Sequence, residues 1–200
     1  MRDPKDKLLF ASDSDEDRLM LIPIVPPTAA LVQAEFTTLI QLAGSRATLN
    51  KSGATLLTKI AGSLITQSGT KVRLVLESGG VACTLNNVTI GPAVTSGSAW
   101  NCTSVTAVTR SAAAAWSIAG AAGTEHLSDE ITFEIITGTS YIVGVNMGAT
   151  ANASSYRNGL PSGVTGYQKA GVQEADDATR GASYTANASV AWLLKRIDVR

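Results

Sequence analysis

Charge is scarce in this chain. Only 16% of its 200 residues are Asp, Glu, Lys or Arg, where an average soluble domain carries about 25%. Sixteen basic residues balance sixteen acidic ones, so no net positive charge is available to carry nucleic-acid binding. Aromatics make up 5%, and His126 is the only histidine. The two cysteines, Cys83 and Cys102, match no metal-ligand spacing, and two buried free thiols on strands are the expected state. No apolar run approaches the ~20 residues that cross a bilayer, so no membrane partner is expected. The opening MRDPKDKLLFASDSDEDR is charged and then acidic, without the apolar core of a secretory signal, which implies synthesis and folding in a cytoplasm.

Recognisable catalytic motifs are missing too. There is no G-x-S-x-G, no H-E-x-x-H and no P-loop. His126 stands in GTEHLSDE near Ser128 and Asp129, but neighbours this close on a turn cannot readily form a nucleophile–base–orienter chain. It reads as a turn histidine before a strand. Asp13, Asp15, Glu16 and Asp17 lack the glycine and closing glutamate of a calcium loop. Glu174, Asp176 and Asp177 form a second carboxylate group that reads as loop surface. No catalytic residue, cofactor or metal site is expected.

What the chain does have is strand grammar. Thr70–Glu77 places Val72, Leu74 and Leu76 on one face and Lys71, Arg73 and Val75 on the other. Val81–Ile90, Val105–Arg110, Ala115–Ala119, Ile131–Ile136 and Tyr141–Met147 follow, each bounded by Gly, Ser, Asn or Thr clusters. Short strands with turn signals every ~8–12 residues predict an all-β, antiparallel, jelly-roll-like sandwich. Residues 29–42 fit both a helical and an alternating pattern, and their β-branched and aromatic content favours a strand. Asn50–Gly53 reads as a turn between two short strands, and Val190–Leu194 with Ile197–Val199 as the closing strand or strands. The sandwich is expected over 29–200, interrupted by a long irregular loop at 148–182.

Residues 1–28 stand apart. The first 18 hold ten of the 32 charged residues and no periodic apolar face, so an extended N-terminal arm is expected. Beside it lies the strip Leu21, Ile22, Pro23, Ile24, Val25, Pro26, Pro27, whose prolines impose an extended backbone. Apolar and extended, this strip is the expected partner-binding segment. Among the aromatics, Trp116 and Trp192 sit in apolar strand patterns and read as core. Trp100, Tyr156 and Tyr167 are the candidates for exposed contacts, such as stacking on a glycan.

Two segments together, KVRLVLESGGVACTLNNVTIGPAV (Lys71–Val94) and SDEITFEIITGTSYIVGVNMG (Ser128–Gly148), resemble the β-sandwich domain that accompanies some SGNH/GDSL-type esterases. The esterase nucleophile block, a Gly-Asp-Ser after a strand, is missing, so the resemblance transfers no catalytic residue. In style the chain is also similar to tailed-phage virion proteins: a charged arm, an apolar Pro-rich strip, and a Gly/Ala/Ser/Thr-rich sandwich with few charges. That resemblance implies a non-enzymatic virion component, made in the host bacterial cytoplasm, whose partners are other virion proteins and copies of itself, a trimer among the simplest arrangements. A carbohydrate- or receptor-binding module is the alternative, and a hydrolase accessory domain a third reading.

Overall fold

The alternation of Thr70–Glu77 becomes strand β4 (Gly69–Glu77) in the computed structural model, which describes residues 34–149 and 154–200. Val72, Leu74 and Leu76 are buried, while Lys71 and Arg73 on the opposite face are half-buried. Successive side chains of a pleated strand point to opposite faces, so this one stretch sets which side of its sheet is core. β4 lies within a five-stranded sheet. On one edge it pairs with β15 (Leu194–Val199), which in turn pairs with β1 (Thr37–Gln41). On the other edge, β8 (Glu125–Leu127) runs along Val75–Glu77 and β9 (Ile131–Ile135) along Gly69–Val72.

The second sheet has seven strands. Its order is β13 (Thr185–Ala188), β12 (Val164–Lys169), β3 (Thr55–Ile60), β10 (Tyr141–Met147) and β5 (Cys83–Pro92). The short β6 (Thr106–Ala107) and β7 (Trp116–Ile118) both pair with β5. A small third sheet joins β14 (Ala191–Trp192), β11 (Ser154–Asn158) and β2 (Ser45–Leu49). These pairings are antiparallel throughout, and the only helical element among the described residues is a 3₁₀ turn at Gly62–Leu64. The fold is an all-β antiparallel sandwich.

Two apolar clusters hold it together. The main one brings Leu56, Ile60, Leu85, Ile90, Val143 and Val145 of the large sheet against Val72, Leu74, Leu76, Ile135 and Ile197 of the smaller. Trp116 and Trp192 are part of it, in keeping with their apolar strand patterns. Fully burying such a side chain contributes about 1.5–3 kcal/mol, which makes this cluster the main source of stability. The second cluster lies on the opposite face of the large sheet. There Leu57, Ile142 and Tyr167 are covered by Ala93, Cys102 and Tyr184, with Ala99, Trp100 and Val105 packed against them. The large sheet is therefore buried on both faces at its centre, and every residue of β10 is buried. Both cysteines are free and buried.

Two expectations need adjustment, and a third falls outside the described residues. The segment 148–182 is not irregular throughout, because β11 and β12 lie within it. Gly166 is there for close packing: a Cβ on it would come 2.7 Å from Nε1 of Trp192. His126 lies within β8 and is buried, rather than on a turn. The strip Leu21–Pro27 and the rest of the expected arm lie outside the described residues.

Candidate functional site

A dense set of buried polar contacts lies where segments 93–105 and 170–184 cover the large sheet. Its centre is Arg180, buried without a carboxylate partner among the described residues. Its guanidinium donates to three backbone carbonyls: Nε to Glu174 at 2.9 Å, Nη1 to Trp100 at 2.5 Å and Nη2 to Ala175 at 2.9 Å. The planar five-donor fork suits this arrangement, because it reaches two separate segments at once. The backbone N–H of Arg180 donates to Asn101 Oδ1, and Cys102 N–H donates to Ala178 O. One side chain thus stitches both covering segments together.

A second set of contacts fastens this layer to the sheet. Asn146 on β10 accepts from Ala175 N–H through Oδ1 at 3.0 Å and donates through Nδ2 to Asp176 at 3.2 Å. Thr55 Oγ1 on β3 lies 2.8 Å from Asn146 Oδ1 and accepts from Glu174 N–H at 2.9 Å. Thr89 on β5 donates to Ala175 O at 2.7 Å. Burial pushes the Glu174 carboxyl up, but hydrogen bonds from Lys169 and Tyr184 outweigh this and hold it below its ordinary value. The Tyr184 phenol is raised in turn, by burial first and by Glu174 second.

The three candidate contact aromatics fall in different surroundings. Trp100 and Tyr167 do meet, edge to face with centroids 6.1 Å apart, and Tyr184 joins them at 5.6 Å from Trp100. Tyr167, however, is only 7% exposed, so it offers no open face to a sugar. Its position on β12 turns it under the covering layer, where burial raises its phenol. Trp100 is half-buried and donates its indole N–H to Gly181 O at 3.2 Å. Tyr156 is placed by its backbone, opposite Trp192 and Ala47, and its side chain lies outside the description. Buried Tyr167 therefore shares no open sugar-binding face with Trp100.

His126, Ser128 and Asp129 do not assemble into a triad either. His126 Nε2 accepts from Ala119 N–H at 3.2 Å, while Ser128 Oγ donates to the Asp129 carbonyl and accepts from Leu74 N–H. The Asp129 carboxylate takes the Thr109 hydroxyl and the N–H groups of Ala112 and Ser111, which hold it below its usual range. Burial first, and then Arg110, holds His126 below its ordinary value. A histidine kept neutral in the native state contributes stability above its unfolded value of about 6.5, and loses it as pH falls through the native value. Thermal midpoints between pH 6.5 and 5 should therefore fall more steeply for the parent than for His126→Gln. Parallel curves would remove His126 from the acid response.

One depression opens elsewhere, between the turn joining β2 to β3 and the end of β12. It holds about 280 Å³ and is lined by Asn50, Lys51, Ser52, Ala54, Gln168, Ala170 and Thr185. Composition and periodicity give no sign of it, since the two walls come from distant parts of the chain. Among the described residues, no group of three or more His, Cys, Asp or Glu is arranged to hold a metal ion. No family model matches the chain, and no curated protein is significantly similar to it.

Proposed function

We propose that this chain is a non-enzymatic structural component of a tailed-phage virion, a head-decoration, collar, tail or fibre-type subunit. The sandwich, jelly-roll-like, is the body, and residues 1–28 are an extended arm that docks on neighbouring subunits through Leu21–Pro27. One observation carries the reading: among the described residues, the polar side chains best suited to chemistry hold the chain's own backbone. A catalytic group needs an open donor or acceptor aimed at a substrate. Arg180, His126, Asp129 and Glu174 instead hold carbonyls or N–H groups of the covering segments and turns. They brace a scaffold.

The sheet margins support the same role. Among the described residues, β1 and β13 each pair on one side only. Leu127 and Ile136, at 45% and 49% exposed, add apolar surface beside a charge-poor body. Open edges of this kind need covering, and symmetric association with copies of the chain would cover them. The sequence style described above points to a virion as the setting. Deleting residues 1–28 tests the division of labour. Thermal unfolding of the body should stay within about 0.5 kcal/mol of the parent, the range of neutral surface changes. Self-association measured by sedimentation should weaken. A grossly destabilised body would place the apolar strip in its own core and end this reading.

A further inference from the structure

We propose that the depression between the β2–β3 turn and β12 binds a hydroxyl-rich ring bearing a carboxylate, an acidic monosaccharide unit. The site is additional to the assembly role and does not depend on it.

Its rim is fixed before any ligand arrives. Asn50 Oδ1 accepts from Ser52 N–H at 3.1 Å and from the Ser52 hydroxyl at 3.0 Å, and Ala54 N–H donates to Lys51 O at 3.1 Å. Gly53 completes the turn at a φ of 64°, a left-handed conformation that glycine adopts freely. The turn holds Lys51 over the Trp192 ring, 5.5 Å from its centroid. Lys51 makes no ion pair among the described residues, so its charge is available to an incoming anion.

The inner wall makes the complementary demand. Gln168 Oε1 is buried and accepts no hydrogen bond. A buried acceptor left unmet is costly, and turning the Gln168 amide into the depression would let a ligand's donor relieve that cost. Thr185 adds a hydroxyl on the same lining, and Ala54 and Ala170 add small apolar surfaces. Lys51 thus asks for an anion, Gln168 for a donor, and the alanines for a carbon face. A sugar ring with a carboxylate meets all three. Inorganic phosphate would satisfy Lys51 but offers no carbon face. The volume of about 280 Å³ lies just below the usual range of small-molecule sites, which fits one ring rather than an extended chain.

The test is an NMR titration of the full chain with D-glucuronate, D-glucose and inorganic phosphate. Glucuronate should give saturable shifts confined to residues 50–54, 168–170 and 185, with glucose about tenfold weaker. Lys51→Met should abolish the preference for glucuronate over glucose. Gln168→Met, similar in length but without the amide, should weaken both sugars about tenfold. Because it removes an unmet acceptor, it should also melt no lower than the parent. Saturable shifts whose glucuronate preference is lost in Lys51→Met and whose affinity weakens in Gln168→Met support the site even if one variant melts lower. Absence of saturable shifts with both sugars, shifts centred elsewhere, phosphate binding as tightly as glucuronate, or parent-like affinity in both variants would overturn it. Sedimentation reads the assembly role separately, so failure of one proposal is not failure of the other.

Discussion

Replacing Arg180 by Met should destabilise the covering layer by about 1–3 kcal/mol, the cost of leaving one carbonyl without its charged donor. The Trp100 carbonyl loses its guanidinium donor, while Glu174 O keeps the Asp177 N–H and Ala175 O keeps the Thr89 hydroxyl. The damage should be local. Amide exchange should accelerate across segments 93–105 and 170–184, and the N–H of Cys102, bonded to Ala178 O, is a convenient reporter. The strands facing the main core should keep their protection, because Leu56, Leu74 and Ile197 pack on the other side of the large sheet. Arg180→Lys should rescue only part of the loss, since a single ammonium cannot span three carbonyls on two segments. Unchanged exchange in Arg180→Met would mean that the apolar contacts of Tyr167 and Tyr184 hold the layer unaided.

The second large effect concerns Glu77, whose side chain is 2% exposed at the end of β4. Arg46 Nε lies 2.6 Å from one carboxylate oxygen and Lys195 Nζ 3.0 Å from the other. Either cation alone is a modest loss, because Arg46 is 37% exposed and its share is screened by solvent. Removing both, in Arg46→Met/Lys195→Met, strips two cations from a buried carboxylate and should cost about 2–4 kcal/mol in denaturant unfolding. The double change should exceed the sum of the singles. Lys195 also holds Glu125 at 2.6 Å, and that hydrogen bond is the main reason the Glu125 carboxyl sits below its ordinary value. Adding Glu77→Leu to the double variant should recover part of the loss, since replacing a whole buried ionic set by apolar groups is often neutral. Strict additivity of the singles would show that Glu77 draws its compensation from elsewhere.

These predictions rest on contacts that a linear reading could reach only in part. β4 and β10 are legible because their branched and aliphatic residues follow the pleat, and turn residues bound them. β1 is harder: the pairing register shifts between Thr38 and Ile40, which breaks the alternation there and explains why the segment also fits a helical pattern. β12 is disguised by Gly166 and its polar neighbours, although the glycine is required by Trp192. The covering layer is the least legible part. Arg180, Asn146 and Thr55 become a unit only after folding brings three distant stretches together, and no spacing rule names a backbone carbonyl as a partner. The same is true of Lys51 and Gln168. Tyr167 looks like an exposed loop tyrosine for the same reason: its cover is not nearby in sequence.

The position of β15 has a consequence for how the molecule is made. This strand sits between β1 and β4, and the Thr37 hydroxyl donates to Val199 O across 162 positions of chain. While the polypeptide is being synthesised, β1 has no partner among the described residues, and β4 has β8 and β9 on one edge only, until Leu194–Val199 leaves the ribosome. Pairing over such separations is slow, and for that interval the growing chain presents unpaired strand edges. Yield in a cell should therefore depend on holding the nascent chain apart from its siblings, by chaperones or slowed translation, more than on the stability of the finished sandwich.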